Sequence, residues 1–392
     1  MSRHRFIKLV LAVALIFLLP GCWDGVELQK RAIVLMIGVD PSQQGDHNVT
    51  VSLQIARPQK FGSSPEASTG SGDENTVVVS RNGVDVIDAI RKIQLSIDRT
   101  LFFGHVRGLV VNQCVAQDGV MAYVTPLLQA RMASRETWLF ISKNPAENVL
   151  HYTPSLDSVP STYLSNFFEN RLLLTRPYQA TLGGFHQRLV TPGVEPFAIW
   201  IGEGDKALSA PAIEGFAVFS EDKFVGGLNQ KQAVGWQFIE NQFPKSPLTF
   251  RCSKEQPGQF IVDVKSVKSR IRASKGKDGQ PRATIVIRLN GWIEGGTCVK
   301  TTNQKELKAL IQQVQSEVET MVQSSIKQCQ QLNSDSLGVG QQLYRFSPKV
   351  WKGDTWWSET FPHIQTTVQV QVQLDFLQTY KDIHFNPKTS TL

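Results

Sequence analysis

The chain has 392 residues, with 41 Lys or Arg against 34 Asp or Glu, and it is 41% hydrophobic and 19% charged. It is too long for one minimal domain and too apolar to stay disordered, and its ordinary Gly and Pro content excludes collagen-like and low-complexity classes. A net charge of +7 spread along the chain is no nucleic-acid footprint, so no nucleic-acid partner is expected.

Residues 1–22 read MSRHRFIKLVLAVALIFLLPGC. A basic start (Arg3, Arg5, Lys8) precedes an apolar run from Leu9 to Leu19 and then Pro20-Gly21-Cys22, the pattern of an export signal. The run falls short of the ~20 residues a spanning helix needs. Its ending, Leu19-Pro20-Gly21-Cys22, resembles the bacterial lipobox, in which the Cys thiol takes a diacylglycerol and the chain is cut just before it. On that reading cleavage falls between Gly21 and Cys22, and acylated Cys22 becomes an N-terminus with enough acyl chain for stable attachment. Losing residues 1–21 removes three basic and no acidic side chains. The smaller excess that remains suits a protein beside anionic headgroups.

Next comes an apolar strand, Ala32 to Val39. Val49, Val51, Leu53 and Ile55 then alternate with polar residues, the signature of a half-buried strand, and PSQQGDHN between the two reads as a hairpin connection. Residues 57–76 are rich in Ser, Gly and Pro and read as a long surface loop. A strand at 76–80 precedes a helix over 84–98, with Val86, Ile87, Ile90, Ile93 and Ile97 on one face. FFGHVRGLVVN returns to strand, residues 117–134 read as a second helix, and ETWLFISK is a strand. This succession predicts a mixed α/β domain.

Residues 146–206 offer only helical patches, PAENVLHY and STYLSNFFENRLL. From Ile213 the pattern turns to β: GFAVFSEDKFVGGLN reads as a hairpin, and Gln259 to Ser274 and Arg282 to Glu294 as two strands joined by GKDGQP. Over 304–333, Leu307, Leu310, Ile311, Val314, Val318, Met321, Val322, Ile326 and Cys329 form one stripe, predicting a long amphipathic helix that covers its own sheet. In TTVQVQVQLDFLQT, Val368, Val370, Val372, Leu374 and Phe376 face one way and Gln369, Gln371, Gln373 and Asp375 the other. That is a strand with one wet face.

The fold class predicted is therefore mixed α/β (α+β) and multi-domain, with helices packed on mixed sheets and a long helix before a C-terminal strand. The expected divisions are a signal peptide at 1–21, an N-terminal mixed α/β domain at 22–145, a second small unit or helical extension at 146–206, and a C-terminal α/β domain at 207–392.

Chemistry-bearing motifs are scarce. The chain has no GxSxG elbow, P-loop or HExxH, and GVGQQL at Gly338 lacks the third glycine of a dinucleotide loop. No catalytic residue, cofactor site or metal site is expected. Beyond Cys22 the cysteines are Cys114, Cys252, Cys298 and Cys329, none at metal-ligand spacing. Cys252 and Cys298 edge strand-like segments of one β-rich region, so they are the pair that could form a disulfide; buried free thiols are the default for the set. His105, inside an apolar stretch, reads as a packed core histidine. Trp351, Trp356 and Trp357 with Phe346 and Phe361 read as core packing, a stacking platform being the other use of such a group. Trp23 suits the membrane interface.

Several of these segments together resemble the Ger(x)C family, the C-subunit lipoproteins of bacterial spore germinant receptors. Cys22-Trp23-Asp24, Glu27-Leu28 and the strand ending Gly38-Val39-Asp40 look like the family's N-terminal signature. GHVRGLVVN and GFAVFSEDKFVGGLN are similar to its later strands. After the long helix, Asp335, Gly338-Val339-Gly340, Tyr344-Arg345-Phe346, Pro348, Trp351, Trp357 and Phe361 give the fullest match. The resemblance implies a non-enzymatic receptor subunit, anchored by its lipid on the outer face of the spore inner membrane beside two polytopic partners, the A and B subunits. Asp24, Asp40 and Asp335 fall on family motifs, where capping accounts for a carboxylate as well as ligand contact does. A solute-binding lipoprotein serving a membrane transporter is the other class that such a leader fits.

Overall fold

The computed structural model describes residues 30–42, 49–57, 75–154, 159–169, 180–205, 210–243, 245–252, 257–299 and 304–376. Cys22, Trp23 and Asp24, the connection at 43–48 and most of the 57–76 loop lie outside the described residues.

A nine-stranded mixed sheet holds β1 (Arg31–Pro41), β2 (Val49–Ala56), β3 (Thr76–Gly83), β4 (Thr100–Phe102), β5 (Gly108–Asn112), β6 (Trp138–Ser142), β7 (Phe197–Asp205), β8 (Ala210–Ser220) and β9 (Lys223–Asn229). Its order is β3-β2-β1-β5-β6-β7-β8-β9, with β4 alongside the start of β1. The centre is parallel (β1, β5, β6, β7) and both flanks are antiparallel. Parallel strands are covered on both faces, which is why β5 and β6 read as unbroken apolar runs and are buried throughout. One face packs against α1 (Val86–Leu95), α2 (Gln113–Asp118), α3 (Met121–Gln129) and α6 (Leu182–Leu189). The other packs against α4 (Ala146–His151), α5 (Pro160–Glu169) and α7 (Gln230–Ile239).

Four expectations change here. β2 is covered on both faces: Ser52 and Gln54 are fully buried, Ser52 sharing a hydrogen bond with Ser80 and Gln54 donating to the Leu150 carbonyl of α4. The predicted second helix is two helices, broken at Gly119, whose φ of 124° no helix accommodates. FFGHVRGLVVN is two short strands with a turn between them, and His105 sits exposed on that turn, its ring edge-on to Phe102 at 5.8 Å. The segment 146–206, which offers only helical patches to a pattern reading, contains a full strand, β7, that bridges β6 and β8.

The second sheet is β10 (Pro247–Arg251), β11 (Gln259–Lys275), β12 (Pro281–Gly296) and β13 (Gln365–Phe376), in that order, with β12 and β13 parallel. Across it lies α8 (Gln304–Gln331), 28 residues and about 42 Å long. Every residue of its predicted stripe is buried except Ile311, which is half-buried against the same core. The core of this layer is continuous with the α4–α7 side of the first sheet: Trp236 on α7 stacks 4.5 Å from Phe197 and 4.9 Å from Phe216. The long helix and alternating last strand stand where the sequence predicts them. After α8 come α9 (Val339–Phe346), α10 (Asp354–Thr360) and a 3-10 turn at Phe361–His363.

Candidate functional site

The segment from the end of α8 to α10 carries the densest group of motif residues, and it folds back onto the first sheet. Ser334, Asp335, Ser336 and Leu337 are all buried. Asp335 caps α9: its Oδ1 accepts from the Val339 amide at 3.1 Å and its Oδ2 from the Gly340 amide at 2.7 Å. A third donor, the Trp357 indole Nε1, reaches the same Oδ2 at 2.9 Å. One carboxylate thus satisfies a helix N-terminus and a buried tryptophan together. Burial pushes its pKa up to about 7, against the opposing pull of those donors.

Arg188 at the end of α6 supplies the other half of the clasp. Its Nε donates to the Glu195 carbonyl at 2.9 Å, its Nη2 to the Ser336 carbonyl, and its Nη1 to Glu240 Oε2 at 3.2 Å. The Trp236 indole donates to the same Ser336 carbonyl at 3.0 Å. Burial raises the pKa of Glu240 against the pull of that guanidinium. Backbone bonds complete the join, from the Glu195 amide to the Asp335 carbonyl at 3.0 Å and from the Gln341 amide to the Gly193 carbonyl at 2.7 Å. The approach is too close for side chains. A Cβ on Gly193 would fall 2.4 Å from the Gly340 carbonyl carbon, and one on Gly340 would fall 2.3 Å from Trp357 Nε1. That contact is the physical reason for glycine at the third position of Gly338-Val339-Gly340.

Beside the clasp opens a cleft of ≈ 480 Å³ whose lining includes Glu195, Glu221, Asp222, Asp335, Asp354 and Trp357. Several of these carboxylates are engaged by backbone amides: Glu195 Oε2 accepts from Glu221 at 2.6 Å, Asp222 Oδ2 from Met121 at 3.0 Å, and Asp354 Oδ1 from Gly193 at 2.9 Å. Burial raises the pKa of Glu195 to about 7. Among the described residues no group of three or more His, Cys, Asp and Glu is arranged to hold a metal ion.

Asp40 repeats the capping role elsewhere. At the end of β1 it accepts from the Ala146 and Glu147 amides at 2.6 and 2.9 Å, holding α4 across the strand ends; burial raises its pKa. The aromatic group divides. Trp357 and Phe361 are core residues, at 4% and 1% exposure, Trp351 and Trp356 are half-buried, and Phe346 is 76% exposed. Core packing therefore describes only part of the set. Cys252 and Cys298 are placed as a disulfide, their Cα atoms 6.3 Å apart, joining the loops beside β10 and at the end of β12. Cys329 is a buried thiol raised to about 12 by its burial, whereas Cys114 is exposed, against the default of burial. Arg188, Glu195 and Glu240 carry no motif of their own; only the fold reveals their role.

Two models of one family span the chain. Residues 24–202 match the spore germination protein N-terminal domain, and residues 214–375 match the spore germination B3/GerAC-like C-terminal domain. Spore germination protein KC of Bacillus subtilis is 25% identical, the match covering 93% of this chain and 94% of that protein. The putative spore germination protein YfkR of the same organism is 25% identical over 88% and 89%. The crystal structure of the GerBC protein superposes with a TM-score of 0.51 at 12% identity, covering 86% of this chain and 97% of that one. This last likeness is one of fold. Among the described residues, no helix is long and apolar enough to cross a membrane.

Proposed function

The chain belongs to the Ger(x)C family of spore germination proteins, and on that premise we propose that it is a lipid-anchored, non-enzymatic subunit of a nutrient-germinant receptor. The acyl chains on Cys22 hold the folded body on the outer face of the spore inner membrane, where it meets the polytopic A and B subunits. Anchoring raises the local concentration of the body at those partners, so that assembly needs no tight contact in solution. The single observation that carries the reading is the pairing of a leader ending Leu19-Pro20-Gly21-Cys22 with family matches from residue 24 to residue 375.

The polar accounting supports a scaffold role. Asp40 and Asp335, the motif carboxylates placed by the fold, spend their lone pairs on helix amides and an indole. Spores carrying Cys22→Ala test the proposal. Nutrient-triggered germination should be severely impaired while germination by non-nutrient triggers stays normal, and a normal nutrient response in that mutant would sink it. Calorimetry of the protein against amino acids and sugars separates the transporter-type reading, which requires heat of direct solute binding.

A further inference from the structure

The outer face of the second sheet carries a charge arrangement that the fold does not use. On β11, Lys268, Arg270 and Arg272 alternate with inward residues and point to solvent, spaced about 7 Å apart along the strand. On β12, Arg288 lies directly opposite Lys268 in the ladder. Like charges directly opposite on neighbouring strands destabilise a sheet. Here the pair stands beside two further cations, and a shallow cavity of ≈ 300 Å³ opens among all four. The side chains facing these four along the same rows are Val286 and Thr284 on β12 and the glutamines of β13, of which Gln371 accepts from Arg288 Nε at 3.0 Å.

Two other cations of this sheet have carboxylates: Lys265 pairs with Asp263 and Arg282 with Asp278. Among the described residues, Lys268, Arg270 and Arg272 make no ion pair. The concentration of positive charge is therefore local, exposed and without a carboxylate partner.

We propose that this face is a docking surface for the anionic phospholipid headgroups of the membrane on which the body is held. Among the four cations the apolar side chain is Val286 alone, and the exposed Trp292 of the same face lies beyond Arg288 opposite Asp263, so the cationic patch itself lacks the aromatic or aliphatic anchors that make up the centre of a protein interface. A headgroup layer needs none of these, because juxtamembrane cations gain their attraction from the surface potential alone. The inference rests on the anchored-subunit reading and adds an orientation to it: the cationic stretch of β11 and β12 lies against the bilayer. Each cation contributes about fivefold to partitioning onto an anionic membrane.

The test uses the full chain mixed with vesicles of phosphatidylcholine alone or of phosphatidylcholine with phosphatidylglycerol. Phenylglyoxal modification of individual arginines is followed by peptide mass spectrometry. Arg270, Arg272 and Arg288 should react about tenfold more slowly on the anionic vesicles, Arg81 and Arg131 should be unaffected, and high salt should remove the protection. The double variant Arg270→Gln/Arg272→Gln should lower the charge-dependent part of vesicle partitioning about 25-fold. Equal modification rates on the two kinds of vesicle overturn the proposal, as does protection by soluble polyglutamate without protection by anionic vesicles, which would assign the face to an acidic polypeptide. Flotation with neutral vesicles reads the Cys22 anchor separately. Its loss would overturn the anchoring reading while leaving protection on anionic vesicles as the measure of this face.

Discussion

The two sheets solve the problem of burying a strand in opposite ways. In the first, helices cover both faces, so even polar residues of an interior strand go inside: Ser52 and Gln54 are fully buried, the one sharing a hydrogen bond with Ser80 and the other donating to the Leu150 carbonyl. In the second, α8 covers one face and water the other, so β13 keeps a strict alternation of apolar and polar residues. A polar side chain costs nothing on the wet face and must be satisfied on the covered one. Charge consequently accumulates on the second sheet's outer surface, while the first sheet confines its conspicuous carboxylate, Asp40, to capping a helix. The clasp at Asp335 is where the two systems meet.

Removing the clasp should do the greatest damage. Asp335→Ala leaves the Val339 and Gly340 amides and the Trp357 indole without an acceptor in the core. The expected loss is about 3–5 kcal/mol in denaturant unfolding. If the sheets were separate folding units, the transition would split, with the second sheet melting first; the continuous core through Trp236 predicts one shifted transition. Second in size is the bridge that staples the second sheet. Cys252 and Cys298 are 46 residues apart in sequence, so reduction, or Cys298→Ser, should cost about 2–4 kcal/mol by the loop-entropy argument. A protein whose unfolding midpoint ignores reductant would show that the bridge does not form.

Acidity offers a milder probe of the same junction. Asp335 and Glu195 are both raised to about 7 from their usual carboxylate values. The folded state therefore binds protons more tightly than the unfolded chain, and the contribution is complete below the ordinary carboxylate pKa. It is lost as pH rises through 7. Stability should fall between about pH 4 and 7 by up to about 1.4 kcal/mol per pH unit for each carboxyl, and Asp335→Asn should remove that residue's share of the slope. A flat profile, or one rising over that range, would mean that both groups are ionised in the folded protein.

The same contrast explains what could be read before the fold was known. The stripe of α8 and the alternation of β13 are long, regular and half-exposed, so their periods are plain in the residues. Strand β7 has no such signal: FAIWIGEGD is covered on both faces at its start and has no alternation there. Helix α7 is similar, since Ala233, Gly235, Trp236, Gln237, Phe238 and Ile239 are all buried and leave no polar face to set a phase. His105 looks like a core residue in the sequence because an apolar run hides a turn between two parallel partners of β1. Asp335 was visible as a motif residue, but its partners include an indole 22 residues on, and the Ser336 carbonyl beside it is held by an arginine 148 residues earlier. Such a junction has no local signal.

The smallest predicted effect has the opposite sign to the others. Lys268 faces Arg288 across the ladder and no carboxylate among the described residues relieves the pair. Replacing it by Thr removes one member of a like-charge pair and introduces a β-branched residue that suits an exposed strand position. The variant should be a few tenths of a kcal/mol more stable in low salt, and the gain should shrink as salt screens the repulsion in the parent. A comparable Ser52→Thr exchange in the first sheet should lose stability instead, because an added methyl at a fully buried position must push its neighbours aside. Denaturant midpoints of both variants at two salt concentrations decide the matter. If Lys268→Thr lowers stability at low salt, the cations on this face already have a stabilising partner, and the account of the second sheet's outer surface as uncompensated charge fails with it.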